Sequence, residues 1–155
     1  MDVLGQHPKS ARGEYFRNDG WWWLPLWKYC VEAGADIIFN EDALEGRHLS
    51  GWGLDAEGAT RLGQRLQEKL QVGHTEQYAK EREQYLKRLP DEVCWSCGGT
   101  GWRAEPSKTG SWTRRCDDCG GMGHRRPLAT RYYFEEDNVW EFAKFLTDSG
   151  GFEID

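Results

Sequence analysis

The sequence predicts a mainly α-helical protein with a small β component, in which about four helices form one body and a β-hairpin is inserted into it. Three observations lead to this prediction. Apolar residues recur at spacings of three and four in several segments, capping residues and glycine or proline bound those segments, and a cysteine-bearing stretch interrupts the helical pattern. The chain of 155 residues has about the length of one domain.

The first third of the chain mixes one helix with loops. Residues 1–19 are rich in polar residues and glycine, which predicts a flexible N-terminus with a short strand that starts at Tyr15. Pro25 fits the first turn of a helix over 25–33, because its missing N–H would have no intrahelical partner there. Residues 40–53 are predicted to form a loop.

Two further helices follow before the cysteines. Asp55 is a suitable N-cap residue for a helix over 56–72, which has a single apolar stripe. Thr75 can cap a helix over 76–89, which Pro90 ends.

The C-terminal part is predicted to contain a strand, a helix and a second strand. Residues 131–134 are aromatic and predict a strand. Asn138, with Glu141 three residues later, resembles a capping box that opens a helix over 139–148, and a short strand is expected over 152–154.

The chain is unusually rich in tryptophan for so polar a sequence. Trp21, Trp22, Trp23 and Trp27 cannot all point in one direction from a single helix. We therefore expect most of them in the core and one or two on the surface.

The motif C-x-x-C-G-G-x-G occurs twice, with eighteen residues between the two cysteine pairs. The glycines allow the positive backbone angles of a tight turn beneath the sulfurs, so that both cysteines of a pair reach one ion. Four thiolates complete a tetrahedral shell with no open position, which is typical of a structural zinc site. The sequence predicts one zinc ion held by Cys94, Cys97, Cys116 and Cys119.

Other chemistry for these cysteines is disfavoured. A redox-active pair normally stands alone at the start of a helix. His124 follows the second motif, and we expect it on the surface because four thiolates already fill the shell.

The string His74-Thr75-Glu76 matches part of the zinc deaminase pattern, but Val93 stands where that pattern has proline. No phosphate loop or nucleophile elbow occurs in the sequence, and we expect a protein that is not an enzyme.

Charge is unevenly distributed along the chain. Residues 94–126 hold six basic and three acidic side chains, while the remaining residues hold 14 basic and 23 acidic ones. A general nucleic-acid binder would have a clearly basic domain. A local phosphate contact through the arginines of the cysteine-bearing stretch stays open; these are Arg103, Arg114, Arg115, Arg125 and Arg126.

Two tryptophans flank the loop between the cysteine pairs. Trp102 and Trp112 could pair across two strands and pack over the metal site. Alternatively, together with Arg103, Arg114 and Arg115, they form a hot spot for binding a protein partner.

The cysteine motif resembles the zinc finger of the DnaJ-type co-chaperones, whose repeat is C-x-x-C-x-G-x-G. The match covers about thirty residues. Four repeats bind two zinc ions in that family, so two repeats imply one ion here. No His-Pro-Asp sequence of a J-domain is present, and the resemblance implies the metal and the hairpin geometry only.

The rest of the chain resembles a family of uncharacterised small proteins of bacteria and their phages that carry the same single finger. The matching segments are Y-F-R-N from Tyr15, W-W-W-x-P-L from Trp21, G-L-D from Gly53 and N-V-W-E-F from Asn138. This resemblance implies an intracellular, phage-related protein and no particular activity.

These observations together predict the organisation and the function. We expect a flexible segment over 1–19, one body made of 20–91 and 127–155, and a zinc-finger hairpin insertion over 92–126. No apolar run is long enough for a membrane span, so we expect a cytoplasmic protein, in the host cell if it is phage-encoded. The predicted function is a non-enzymatic zinc-binding protein that acts through protein–protein interaction, as an effector or adaptor. The alternative is a regulatory zinc-finger protein that binds nucleic acid.

Overall fold

The computed structural model describes residues 1–47, 51–107 and 110–155, with the backbone alone described at 40–41, 105–107 and 110–112. Five α-helices and eight short strands lie in these residues, which confirms a mainly α fold with a small β component. The helices are α1 (Gly20–Ala33), α2 (Asn40–Glu45), α3 (Ala56–Gln71), α4 (His74–Arg88) and α5 (Glu136–Asp148). The strands are β1 (Asp2–Gly5), β2 (Tyr15–Arg17), β3 (Gly53–Leu54), β4 (Glu92–Val93), β5 (Trp102–Ser107), β6 (Gly110–Arg115), β7 (His124–Arg125) and β8 (Phe152–Ile154).

The chain divides into two compact units. The first unit comprises Met1–Glu83 and Tyr132–Asp155, and the second comprises Gln84–Arg131. The hairpin insertion predicted over 92–126 lies within the second unit, which also includes the last residues of α4.

An antiparallel sheet in the order β2-β1-β8-β3 joins both ends of the chain in the first unit. Val3 is fully buried and pairs with Ile154, and the backbone N–H of Gln6 donates to the carbonyl oxygen of Gly151 at 2.8 Å. Most of residues 1–19 are therefore secondary structure and turns, in the segment for which composition predicts a flexible N-terminus. The stabilising contacts come from the other end of the chain, which local composition does not reveal.

Helices α3 and α5 pack closely beside this sheet. The N-cap prediction at Asp55 is confirmed, since its carboxylate accepts from the backbone N–H of Gly58 at 2.8 Å. A Cβ atom added at Gly63 of α3 would lie 2.9 Å from a methyl group of Thr147 and 3.0 Å from the carbonyl oxygen of Ala143. Glycine therefore permits the close approach of the two helices. The buried residues of the two apolar stripes are Ala59, Leu62, Leu66, Val139, Phe142, Ala143, Phe145 and Leu146.

Buried tryptophans hold the short helix α2 against the core. The indole N–H groups of Trp23 and Trp27 donate to the carbonyl oxygens of Gly46 and Ala43, each at 2.9 Å. The indole of Trp52 donates to a carboxylate oxygen of the same segment at 2.9 Å. Residues 40–53 were predicted to be a loop, and the prediction is wrong for α2. The tryptophans bind this segment through tertiary hydrogen bonds that no local signal encodes.

Helix α1 begins earlier than predicted, because a residue before the tryptophans caps it. Asp19 accepts from the backbone N–H groups of Trp21 and Trp22 at 2.9 and 3.2 Å. Trp23 and Trp27 are fully buried and Trp21 is 40% exposed, which agrees with the expected division between core and surface.

Two C-terminal predictions are wrong. Residues 131–134 do not form a strand, because Tyr133 donates its backbone N–H to the carbonyl oxygen of Trp21 at 2.9 Å and the segment runs along α1. Helix α5 starts at Glu136, so the capping box is absent. The side chain of Asn138 instead accepts from the side-chain amide of Asn18 at 2.9 Å.

Helix α4 starts at His74, one residue before the predicted cap. Thr75 is fully buried, and its hydroxyl lies 2.8 Å from the hydroxyl of Tyr29. Among the described helices, none combines the length and the apolar character that crossing a membrane requires.

Candidate metal centre

Each cysteine motif of the second unit folds into a tight turn beneath its own sulfurs. In the first motif, the backbone N–H of Gly99 donates to the carbonyl oxygen of Cys94 at 3.2 Å, and that of Gly101 donates to the sulfur of Cys97 at 3.3 Å. The second motif repeats both bonds, from Gly121 to Cys116 at 3.0 Å and from Gly123 to Cys119 at 3.3 Å. The two halves are thus built alike, as the repeated sequence predicts.

Six glycines of these turns have positive φ angles. The values are 58°, 86° and 77° at Gly98, Gly99 and Gly101, and 57°, 82° and 77° at Gly120, Gly121 and Gly123. Residues with a side chain rarely adopt these angles, because the Cβ atom collides with the backbone. The backbone conformation itself therefore favours glycine at these positions.

Short backbone ladders cross from one motif to the other. Cys94 donates its backbone N–H to the carbonyl oxygen of Gly123 at 2.8 Å, and β4 pairs with β7 just beyond this bond. Cys116 makes the corresponding bond to Gly101 at 2.9 Å, where β5 pairs with β6. The start of each motif is bonded to the end of the other, so the two turns face each other.

Two glycines also allow the motifs to interlock. A Cβ atom at Gly101 would lie 2.3 Å from the carbonyl oxygen of Gly121, and one at Gly123 would lie 2.2 Å from that of Gly99. No real Cβ atom tolerates such distances to a backbone atom. Any side chain at these two positions would push the motifs apart.

This arrangement brings the four predicted cysteine sulfurs together. They all lie within 4.8 Å of one another, and the pairs Cys94–Cys116 and Cys97–Cys119 are each separated by 3.9 Å. A tetrahedral ion with metal–sulfur bonds of about 2.3 Å separates its sulfurs by about 3.8 Å. A disulfide requires about 2.05 Å, and all four cysteines are free thiols. The four sulfurs could therefore hold one metal ion.

Burial and hydrogen bonding shift the pKa values of two thiols of the cluster in opposite directions. Burial opposes ionisation of Cys97, but the backbone N–H groups of Gly101 and Gly99 and the neighbouring thiols outweigh it and lower the pKa to about 7. Burial raises the pKa of Cys116 to about 11. A metal ion must displace the protons from both, so we expect proton release when it binds.

Histidines are absent from the cluster in the part of the chain that the structure describes. His124 is exposed in β7, opposite Val93 in the register, as expected of a surface residue. His74 lies with its Nδ1 atom 3.1 Å from the hydroxyl of Tyr29. His48 lies outside the described residues.

Three of the arginines considered for phosphate or partner contacts bond to groups within the second unit. Arg115 donates from Nε to the carbonyl oxygen of Gly120 at 2.5 Å, and Arg114 contacts Asp117 at 2.8 Å. Arg126 donates to two carbonyl oxygens at the C-terminal end of α4, those of Leu86 and Leu89, each at 2.6 Å. These guanidinium groups therefore stabilise turns and a helix end.

The other two arginines, Arg103 and Arg125, are half-buried. Arg125 lies over the ring of Trp95, with 5.4 Å from Cζ to the ring centroid, and its Nε atom is buried. Arg103 is half-buried and lies opposite Arg114 in the register.

The predicted pairing of the two hairpin tryptophans is wrong. The register places Trp102 opposite Arg115 and Trp112 opposite Glu105. The register of β5 and β6 could not be predicted from the sequence, because it depends on the position of the turn between the two strands. The side chain of Trp102 is 56% exposed, while that of Trp112 lies outside the described residues.

Sequence reasoning did not include Val93 and Met122 among the candidates, although both are exposed apolar residues beside the cysteines, as is Trp95. Met122 is 75% exposed, Trp95 is 71% exposed and Val93 is 58% exposed. Met122 and Trp95 occupy the variable positions of the motif, where the sulfurs and glycines leave the side chain pointing away. A large apolar residue at a variable position was the signal that could have identified Met122, whereas Val93 precedes the motif and carries no such signal.

Comparisons with protein-family models, curated proteins and solved structures find no match for this chain.

Substitution at Gly101 should disrupt the centre, whereas substitution at Gly98 should not. In Gly101→Ala, the collision with Gly121 adds to a backbone strain of about 1–3 kcal/mol, so we expect zinc affinity to fall by about tenfold or more. Gly98 has no atom within 4 Å of an added Cβ, and asparagine tolerates its φ angle, so Gly98→Asn should bind almost normally. Competition with a chromophoric chelator measures both affinities. Equal affinities in the two variants would contradict the interlocked geometry.

Proposed function

We propose that the four cysteines bind one structural zinc ion and that the protein acts, without catalysing a reaction, by binding another protein. The observation that carries this proposal is the approach of four sulfurs to within 4.8 Å of one another at two facing, glycine-backed turns. Thiolate ligands in a tetrahedral arrangement are typical of zinc or of iron–sulfur sites, and the repeated finger motif favours zinc.

A closed shell supports a structural role for the ion. Four thiolates leave no position for a substrate or an activated water, which catalytic zinc sites keep open. Cys94 and Cys116 are fully buried, Cys119 is 4% exposed and Cys97 is half-buried, so three of the four ligands are shielded from a substrate. The ion would stabilise the finger, much as it does in other small zinc modules.

The exposed side chains around the cluster support a protein partner. Val93, Trp95, Trp102 and Met122 are all more than half exposed. Aromatic residues and methionine are enriched in protein interfaces, where a few buried anchors supply most of the binding energy. The resemblance to phage proteins suggests an effector or adaptor, with the finger as one contact surface.

Nucleic-acid binding receives less support. The second unit carries nine basic and five acidic side chains, a balance of +4, and four thiolates with one zinc ion would reduce it to +2. Arg114 and Arg115 already bond within the cysteine-bearing stretch, and Arg126 bonds to the end of α4. Phosphate contacts would need those groups to be available.

Metal analysis tests the first part of the proposal. Protein purified without chelator should contain one zinc ion per chain, and a Cys94→Ser plus Cys97→Ser variant should contain none. Removal of zinc should unfold the finger but leave most helical circular dichroism, because the first unit has its own core. Iron in place of zinc, or full zinc content in the double variant, would contradict the assignment.

Partner capture tests the second part. A Trp95→Ser plus Trp102→Ser variant should keep one zinc ion. The amount of a specific partner that it captures should fall by about tenfold or more, because the variant loses two aromatic anchors. Leu128→Ser is the matched control, since Leu128 is also exposed in the second unit. Quantitative mass spectrometry of captured proteins gives the comparison. Equal capture by the double variant, or capture that nuclease abolishes, would contradict a protein-binding finger.

A further inference from the structure

The first unit presents a second aromatic surface, here called the aromatic patch, which consists of Trp21, Trp22, Tyr132 and Tyr133. The ring centroids of Trp21 and Tyr132 are 5.1 Å apart, and those of Trp22 and Tyr133 are also 5.1 Å apart. Two tryptophan–tyrosine pairs thus lie side by side at the start of α1.

Backbone hydrogen bonds fix the patch in place. Asp19 accepts from the backbone N–H groups of both tryptophans, and Tyr133 donates its own N–H to the carbonyl oxygen of Trp21 at 2.9 Å. The carbonyl oxygen of Tyr132 accepts from the guanidinium of Arg82 at 3.0 Å. The rings are therefore preorganised, which reduces the entropy lost when a ligand binds.

The patch remains open to solvent although the same helix supplies the core. Trp23 and Trp27 are fully buried, whereas Trp21 is 40% exposed and Tyr133 is 53% exposed. Trp22 and Tyr132 are half-buried between these extremes. The exposed rings add little to the core, and an exposed cluster of aromatic residues is typical of a binding site.

The net negative charge of the first unit favours ligands that carry positive charge. Asp19 precedes the tryptophans and the acidic residues 135–137 follow the tyrosines in the sequence, whereas Arg131 precedes the tyrosines and Arg82 bonds to the carbonyl oxygen of Tyr132. The whole unit holds 11 basic and 21 acidic side chains, a balance of −10. This field repels phosphate and attracts cationic groups.

We propose that the aromatic patch binds an arginine-containing segment of a partner protein. An arginine guanidinium stacks on aromatic faces, is weakly hydrated and forms paired hydrogen bonds with carboxylates, so the patch and its acidic flanks offer both of its preferred contacts. Lysine shares the charge but stacks less well. The inference does not depend on the zinc ion, because all the residues that carry it lie in the first unit.

Peptide binding to the full-length, zinc-containing protein tests this. The probes are fluorescein-labelled short peptides in which arginine, lysine or glutamate alternates with glycine, together with a labelled oligothymidine. Fluorescence anisotropy should show the arginine peptide binding several-fold more tightly than the lysine peptide, with no binding of the glutamate peptide or the oligothymidine. Equal affinity for arginine and lysine peptides would indicate charge attraction alone and overturn the proposal, as would preference for the oligothymidine.

Two variants locate the binding. Trp21→Gln and Tyr133→Gln should each weaken binding of the arginine peptide by about tenfold, whereas Trp140→Gln should not change it. Trp140 is a matched control, because it is 43% exposed in the same unit and lies under the ammonium group of Lys144 instead of in the patch. Thermal unfolding checks that each variant is folded. Unchanged binding in a folded Trp21→Gln or Tyr133→Gln variant would overturn the proposal.

Discussion

Four cysteine sulfurs in one small space are the constraint on which the second unit depends. The buried cluster of that unit, within the described residues, consists of Cys94, Cys116 and Cys119 with the half-buried Cys97. Its large apolar side chains are mostly exposed instead. A segment with so little apolar burial cannot offset the entropy lost on folding unless something else stabilises it. A metal ion bound by the thiolates would supply that stabilisation. The two halves repeat the same hydrogen bonds and glycine positions because both must hold their sulfurs around one point.

The first unit is built on a different principle. Its core combines the buried stripes of α3 and α5 with stacked tryptophans, and its sheet joins both chain ends. Three indole N–H groups donate hydrogen bonds to α2 and to the residue after it. The polar atoms of these large aromatic side chains therefore make tertiary contacts. This unit has an apolar core of its own. The two proposed binding surfaces therefore rest on independent sources of stability, one on metal coordination and one on apolar burial.

Features encoded by neighbouring residues could be predicted from the sequence. The N-cap at Asp55, the helix that follows it and the cysteine motifs depend on contacts within a few positions. Features that depend on distant residues could not. Val3 forms a strand because Ile154 lies beside it, and Asn138 bonds to Asn18 rather than capping α5.

The candidate site shows the same division between local and distant contacts. The ligand set follows from the repeated motif alone. The roles of the arginines do not, because Arg126 bonds to the end of α4 through carbonyl oxygens whose position depends on the fold. The register of β5 and β6 likewise separates Trp102 from Trp112, which sequence spacing could not establish.

X-ray absorption spectroscopy at the zinc edge tests the central claim most directly, because it reports the ligand atoms around the ion. A site formed by Cys94, Cys97, Cys116 and Cys119 should give four sulfur atoms at about 2.3 Å and no lighter ligand. A shell containing nitrogen or oxygen at about 2.0–2.1 Å, as His124 or a bound water would produce, would contradict a closed four-thiolate centre.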